Sequence, residues 1–457
     1  MKKILIISEF IAPFQAVASI RWTKIAKYLK KNHNVSISVV TINKRYKGVS
    51  PNLTYVRIDE LLKKDLVYFD KYLMIPGGKR LGIYFKVKNL FHEEKTPITQ
   101  SSEDRKKDER MSLHVIFRKK IREKLYKVDK KIEEYMQTIV AKRVFGFLKK
   151  RHIEEYDIII SSFGPFWTHL TAEKIKNKYP KICWLADFRD PCATDYDDKG
   201  SFKRHKEFVV KHCIRADYLL RVNDRLPLYQ ASSQRVVTIN NGYDPDEALE
   251  ALPPSKFYVV YTGTLYELDD LSEIFHAFKE LIDDKLIDDK DVVFQYAGYQ
   301  GDLFFKFARK FELDYLVQDF GIIERRKSLS LQQNAALLII AGWNTKISHC
   351  EWTGKMYEYV MAKKPIIYMM SGDEPHSLPS RDMGKLGGVC YEQCRHEETY
   401  ILLRNYIVEK YLEWKNTGDI TIKYDENYSE QYAYPKIAEK VWKLMESKIE
   451  RMTVYEK

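Results

Sequence analysis

Residues 4–41 read ILIISEFIAPFQAVASIRWTKIAKYLKKNHNVSISVVT, and three segments stand apart in them. Ile4-Leu-Ile-Ile7 is a short apolar run of the kind that fills a strand buried on both faces. Ser8 to Ser19 reads as a loop containing Pro13. Ile20, Trp22, Ile25, Ala26 and Leu29 then recur at helical spacing, and Val35 to Thr41 returns to strand character. The order is β-α-β, and a strand, a crossover helix and a second strand build a parallel sheet.

The same alternation continues along the chain. Asp157-Ile-Ile-Ile-Ser-Ser162 predicts another buried strand, followed by a Phe-Gly-Pro break and a helix from about Trp167. Ile182 to Ala186, Tyr218 to Val222 and Val236 to Ile239 read as further strands. Each ends in polar, Gly or Pro residues, as loops at the carboxyl edge of a sheet do. Glu247 to Lys256 carries Pro253-Pro254 at its centre and reads as a linker. A second series then begins, with strands at Tyr258–Thr262, Val292–Ala297, Leu337–Ala341 and Pro365–Met369 and a helical pattern over Leu271–Ile282. The fold class is therefore α/β, with two doubly wound Rossmann-like domains facing across a cleft. The expected division is 1–246 for the N-terminal domain, with a basic helical insertion at about 75–155. A linker at 247–257 and a second domain at 258–430 follow, and a helix over 431–457 that crosses back to the first domain.

Composition narrows the class. The 457 residues are 45% apolar and 31% charged, an ordinary globular balance that excludes disordered and fibrous chains. The net charge is +13, and Ile75 to Glu155 holds 22 basic against 12 acidic residues. A local excess of that size points to an anionic surface near this segment. Phe117, Ile121, Leu125, Val128, Ile132, Met136 and Ile139 run through it at helical steps. Two readings of 113–151 stand: a core-packed helix with a solvated basic face, or a helix docked on an anionic membrane surface. Six cysteines form no C-x-x-C pair and fit no zinc spacing, which suits a reduced, cytoplasmic setting. No apolar run is long enough for a secretory signal or a spanning helix, so a membrane role would be peripheral. No RNA- or DNA-reading motif accompanies the basic residues, so nucleic acid is not expected.

Several loops carry chemistry. Trp352-Thr-Gly-Lys-Met-Tyr-Glu-Tyr359 follows a strand and opens a helix. Thr353 is placed to cap it, Gly354 lets a ligand approach the backbone, and the free N–H groups of the first turn suit a phosphate. Lys355 adds a charge there, and Glu358 falls one turn on, on the same face, able to accept from sugar hydroxyls. Asp187-Phe-Arg-Asp-Pro191 closes a strand with two carboxylates and the Arg189 guanidinium. Asn240-Asn-Gly-Tyr-Asp244 closes the first domain, and His169 opens a helix after Ser161-Ser-Phe-Gly-Pro165. Asp195-Tyr-Asp197 and Asp244-Pro-Asp246 have D-x-D spacing but read as loop residues, so no metal site is expected.

The ordered set resembles the GT-B glycosyltransferases, and within them the family-four retaining enzymes of bacterial surface polysaccharide synthesis. The resemblance spans nearly the whole chain. It rests on the Pro13 loop with Ser19 and Arg21, the Ser-Ser-x-x-Pro segment with His169, and the Asp187 and Asn240 loops. It continues through Tyr261-Thr-Gly-Thr-Leu-Tyr266, Gly298, Gly321 and Gly354-Lys-x-x-Glu-Tyr, to Lys364-Pro-Ile. It implies metal-independent, retaining transfer of a hexose from a nucleotide sugar, a UDP-sugar favoured, to a saccharide or lipid-linked saccharide acceptor. The nucleotide sugar is a substrate, and no cofactor is implied. The setting implied is the cytoplasmic face of the membrane and synthesis of a surface polysaccharide such as a capsule.

The implied catalytic residues are His169, Asp190 and Glu351. Donor binding falls to Lys355, Glu358, Gly354, Thr353, Arg189, Gly263, Thr264, Gly298, Gly321, Asn241 and Asp244, and the acceptor side to Pro13, Ser19 and Arg21. The sequence departs from the family in two places. Of two glutamates flanking seven residues, Glu358 matches the second, while the first falls on Cys350 with Glu351 beside it. Thr264 and Asp269 stand where an Arg and a Lys for the diphosphate are expected. Two other functions fit the same architecture: a nucleotide-sugar 2-epimerase, which needs more acid/base carboxylates than these, and a non-catalytic partner in a polysaccharide assembly complex.

Overall fold

The computed structural model describes residues 1–43, 57–76, 132, 134–190, 206–207, 209–226, 228, 235–346 and 352–454. Two parallel sheets organise the described residues. The first has seven strands in the order β3-β2-β1-β4-β5-β6-β7. These are β1 (Lys2–Ile7), β2 (Val35–Asn43), β3 (Lys71–Pro76), β4 (Ile158–Ser162), β5 (Cys183–Phe188), β6 (Tyr218–Arg221) and β7 (Val236–Thr238). The central strands β4 and β5 are buried along their whole length, which explains their unbroken apolar runs. Helix α1 (Val17–Asn32) joins β1 to β2, α2 (134–148) precedes β4, and α3 (Trp167–Lys178) joins β4 to β5. The helix α1 starts at Val17, so Ser19 lies in its first turn and not in the preceding loop.

The second sheet has six strands in the order β10-β9-β8-β11-β12-β13. These are β8 (Phe257–Thr262), β9 (Val292–Ala297), β10 (Val317–Asp319), β11 (Leu337–Trp343), β12 (Ile366–Ser371) and β13 (Gly388–Glu392). Its principal helices are α4 (Ser272–Asp283), α5 (Gly301–Arg309), α6 (Arg325–Gln333), α7 (Gly354–Ala362) and α8 (His396–Thr417). Each sheet has an apolar core on both faces. The strand order reverses between β8 and β11, the kind of switch point at whose carboxyl edge ligands bind.

The last helix, α9 (Tyr434–Val454), packs in the core of the first sheet. Tyr434, Ile437, Ala438, Val441 and Met445 are buried there with Trp22, Ile25 and Leu29 of α1. The Trp442 ring stacks on His33 at 4.3 Å. Of the apolar stripe, Ile132 is exposed, Met136 is buried and Ile139 is partly buried; Val140, Ala141, Val144 and Leu148 join Met136 against the first sheet. Its basic portion from Arg118 to Lys131 lies outside the described residues, as do residues 347–351, which include Glu351.

Candidate functional site

Four adjacent strands, β10, β9, β8 and β11, end side by side, and the residues after them build the site. Gly321 follows β10, with a φ of +58°, and its N–H is held by Asp319 Oδ1 at 2.8 Å. Gly298 follows β9 and Gly263 follows β8, and they are packed too tightly for side chains. A Cβ on Gly298 would stand 2.2 Å from the Gly263 carbonyl oxygen. Gly263 has a φ of +104°, a conformation costly to any other residue.

Helix α7 follows β11 and points its N-terminus at Gly263. Tyr359 locks it in place, its hydroxyl accepting from Thr262 N–H at 3.0 Å and donating to the Ile339 carbonyl at 3.1 Å. Thr353 occupies the N-cap position with extended backbone, but its side chain makes no capping bond. The Thr353 hydroxyl is buried and has no partner among the described residues. The expected cap is therefore positional only: the Met356 N–H turns back to the Thr353 carbonyl at 3.1 Å, and the hydroxyl and the Gly354 and Lys355 N–H groups are left for another acceptor.

Lys355 folds back from this helix across Gly263. Its ammonium donates to Tyr261 Oη at 2.6 Å and to the Thr264 carbonyl at 2.8 Å, over the Tyr261 ring. An ammonium has three donors, so one remains. Burial lowers the Lys355 pKa to about 8, against the opposing pull of Asp269 and Glu358. Thr264 thus serves through its carbonyl. Asp269 is buried too, and burial pushes its carboxyl up, with the Tyr266 N–H and Lys355 opposing.

Glu358 sits one turn along α7. Its Oε1 accepts from Arg325 Nε at 2.9 Å and its Oε2 from Gln332 Nε2 at 3.1 Å. Arg325, which opens α6 behind Gly321, was not singled out by sequence. It lies in the charged run Glu324-Arg-Arg-Lys327. The available signal is helical: Arg325, Leu329 and Gln332 share one face, and both Leu329 and Gln332 are buried. The other fork of Arg325 clasps Glu247, at 3.0 and 2.7 Å.

Glu247 lies between the two sheets, and its Oε1, shared with Arg325 Nη1, also accepts from Lys24 of α1 at 2.5 Å. The same ammonium stands 2.6 Å from Asp65 and 2.7 Å from Asp244. These three carboxylates lie close enough together to hold a cation, and the Lys24 side chain already supplies one. Burial opposes its charge, but Glu247, Asp244 and Asp65 raise its pKa above the ordinary lysine value.

The N-terminal candidates divide differently from expectation. Asp244 is consumed by Lys24, Lys27 at 2.7 Å and the Tyr28 hydroxyl at 2.6 Å, so it faces no ligand. Arg21 is 1% exposed and spends its guanidinium on Asp187, the Asn240 carbonyl and Asn241 Oδ1. Asp187 also accepts from Trp22 Nε1 at 2.7 Å. Arg21, Asp187 and Asn241 are thus a brace inside the first domain, and Ser19 is buried beside them. Paired charges at strand ends resemble a polar cleft in sequence, because spacing does not show which residues satisfy each other. Pro13 is half-buried, its carbonyl accepting from Asp59 N–H at 2.8 Å.

His169 is likewise sealed rather than set on the cleft wall. It is fully buried among Phe163, Trp184 and Phe188. Trp184 Nε1 donates to Ser161 Oγ at 2.8 Å, and that oxygen lies 2.7 Å from His169 Nδ1. Burial lowers the ring's pKa to about 3, with Asp187 opposing, so the ring is neutral. Arg189 points at the carbonyls of Phe163 and Gly164 at 2.8 and 3.0 Å and stays on the first domain. Asp190, next to it, is exposed. The domains touch where α7 begins: a Cβ on Gly354 would come within 2.8 Å of Val17 on α1. Two cavities lie apart from this junction. One, of about 340 Å³, lies between α4, α8 and the ends of β12 and β13. The other, of about 310 Å³, lies among Lys176, Arg215, Arg235 and Lys448.

Comparison with solved structures follows this architecture over its whole length. Sucrose-phosphate synthase from Thermosynechococcus elongatus superposes with a TM-score of 0.57 at 10% identity, covering 98% of this chain and 99% of that one. TarM superposes with a TM-score of 0.56 at 13% identity, covering 97% and 99%. The lipopolysaccharide outer core galactosyltransferase WaaB gives 0.51 at 13% identity, covering 95% and 97%. The fold is GT-B. No family profile matches the chain, and no curated protein matches it in sequence. In GT-B terms, the cluster of Lys355, Gly263, Thr264 and Glu358 belongs to the C-terminal domain, and the Arg21–Asp187 brace to the N-terminal domain.

Proposed function

We propose that the protein is a glycosyltransferase that takes a sugar from a nucleoside-diphosphate sugar and passes it to a saccharide or lipid-linked saccharide. The observation that carries this reading is the convergence of Lys355, the N-terminus of α7 and the bare Gly263–Thr264 backbone, with the Glu358 carboxylate one turn away. A leaving diphosphate gathers negative charge as the glycosidic bond breaks. A lysine with a spare donor and free helix N–H groups stabilise that charge without a metal ion. Glu358 retains acceptor capacity for ribose hydroxyls. Acceptor chemistry falls to the N-terminal side, where Asp190 is an exposed carboxylate at the end of β5. Retaining transfer rests on the resemblance of the ordered motifs. A UDP-sugar is favoured, in keeping with the UDP bound in the TarM complex.

The same proposal places the protein in the cytoplasm, docked on the inner face of the membrane during surface polysaccharide synthesis. Among the described residues no helix is long and apolar enough to cross a membrane. The end of the basic insertion buries its apolar face and exposes Lys142, Arg143, Lys149, Lys150 and Arg151. Each such charge near an anionic surface contributes about 1 kcal/mol. Sedimentation with anionic vesicles should fall as salt rises, and binding indifferent to lipid charge would remove this part of the proposal. The transferase reading is tested by incubating the protein with a panel of nucleotide sugars. Release of nucleoside diphosphate from one donor, accelerated by a saccharide acceptor, is the expected result. Interconversion of the donor with its 2-epimer and no transfer would establish the epimerase instead.

A further inference from the structure

Glu358 is held from two sides before any ligand arrives. A carboxylate offers about four lone-pair positions, and Arg325 and Gln332 occupy one on each oxygen. Two positions remain, one per oxygen, which matches the two hydroxyls of a ribose vicinal diol. The Glu358 side chain is 19% exposed, so part of it is open to a ligand. Gln332 is itself fixed, its amide also donating to Thr262 Oγ1 at 2.9 Å at the end of β8.

Arg325 does more than orient one carboxylate. Its Nε faces Glu358 while Nη1 and Nη2 form a two-pronged pair with Glu247. Lys24 on α1 grips that glutamate from the N-terminal domain. A continuous line of charge thus runs from α1 through Glu247 and Arg325 to Glu358, with Asp59 at 4.0 Å from the guanidinium. A lysine cannot hold two carboxylates in one plane as a guanidinium fork does.

We infer that Arg325 is the positioning residue that aims Glu358 at the ribose of the nucleotide and ties that aim, through Glu247 and Lys24, to the N-terminal domain. The inference rests on the nucleotide-sugar reading of this site. Its signature is selectivity for the ribose hydroxyls, because a hydrogen bond to a charged group is worth roughly ten- to a hundredfold in affinity.

The test is titration calorimetry with UDP, GDP and ADP, each beside its 2′-deoxy form. The wild-type protein should bind at least one nucleotide, and prefer the ribose form by about tenfold or more. Arg325→Met should bring that preference below about threefold while the deoxy nucleotide binds nearly as before. Arg325→Lys should fall between them. Because Arg325→Met leaves Glu358 without its cation and Glu247 with Lys24 alone, the double variant Arg325→Met with Glu247→Gln removes part of the unbalanced charge and supplies a second background, its fold confirmed by circular dichroism. If that double variant keeps the wild-type ribose preference, Arg325 does not position Glu358 and the inference fails alone. If no nucleotide binds the wild-type protein, the functional reading fails and the inference with it.

Discussion

Replacing Lys355 by methionine should make the protein more stable and less able to bind a diphosphate. The Lys355 pKa is held at about 8, against 10.5 for a free lysine, because burial disfavours the ammonium. Keeping it charged in the folded state therefore costs about 3 kcal/mol at neutral pH. The sign follows from proton counting. Below pH 8 both folded and unfolded forms carry the proton, and the full penalty applies. Between pH 8 and 10.5 the folded form sheds it first, so stability rises with pH across that window. Methionine fills similar space and orphans no donor, since Tyr261 Oη still donates to the Thr264 carbonyl at 3.1 Å. After about 1 kcal/mol for lost hydrogen bonds, Lys355→Met should gain roughly 1–2 kcal/mol at pH 7. That advantage should shrink by about 1.4 kcal/mol by pH 9. Urea unfolding at the two pH values measures both quantities. Calorimetry should show affinity for a nucleoside diphosphate falling ten- to a hundredfold. A variant that is less stable at pH 7, with a gap indifferent to pH and unchanged nucleotide affinity, would refute the reasoning.

Gly263→Ala should destabilise by about 1–3 kcal/mol, because the residue holds a φ of +104° and its Cβ would press on the Lys355 stem at 3.0 Å; nucleotide affinity should fall with it in the same titration. Arg21→Met should destabilise by about 3–5 kcal/mol, leaving Asp187 buried without its cation, as read by the denaturant midpoint. His169 is held neutral with a pKa of about 3, so the unfolded chain alone takes up this proton below about pH 6.5, and stability is lost as pH falls towards 3. Of that loss, about 2 kcal/mol should appear between pH 6.5 and 5, and His169→Gln should remove it from the pH profile of unfolding.

Central strands were legible in sequence because burial on both faces leaves an unbroken apolar run, as in Ile4-Leu-Ile-Ile7 and Leu337-Leu-Ile-Ile340. Strands β3, β10 and β13 escaped notice. They stand at sheet edges and mix polar with apolar residues, so neither run nor alternation marks them, and β10 spans three residues only. A glycine at a strand end and a lysine in a helix's first turn are local features that a sequence shows, and the structure brings Gly263, Thr264 and Lys355 together. Partnership was not. Arg325 reaches Glu358 across 33 residues and Glu247 across 78, and only its place on the helix face of Leu329 and Gln332 separates it from the exposed Arg326 and Lys327. The same gap misplaced Arg21, Asn241 and Asp244, which look like cleft-lining polar groups until their partners are known. Lys24 and Lys27 of α1 are covered by a layer of carboxylates, and the spacing of the chain gives no sign of it.

A crystal structure of the protein soaked with the nucleoside diphosphate that binds it most tightly tests the central claim most directly. The account predicts the diphosphate against Lys355 Nζ and the first N–H groups of α7, and the ribose hydroxyls on Glu358. Density for the nucleotide in either outlying cavity, beside His396 or among Lys176, Arg215, Arg235 and Lys448, with the Lys355–Glu358 site unoccupied, would contradict it.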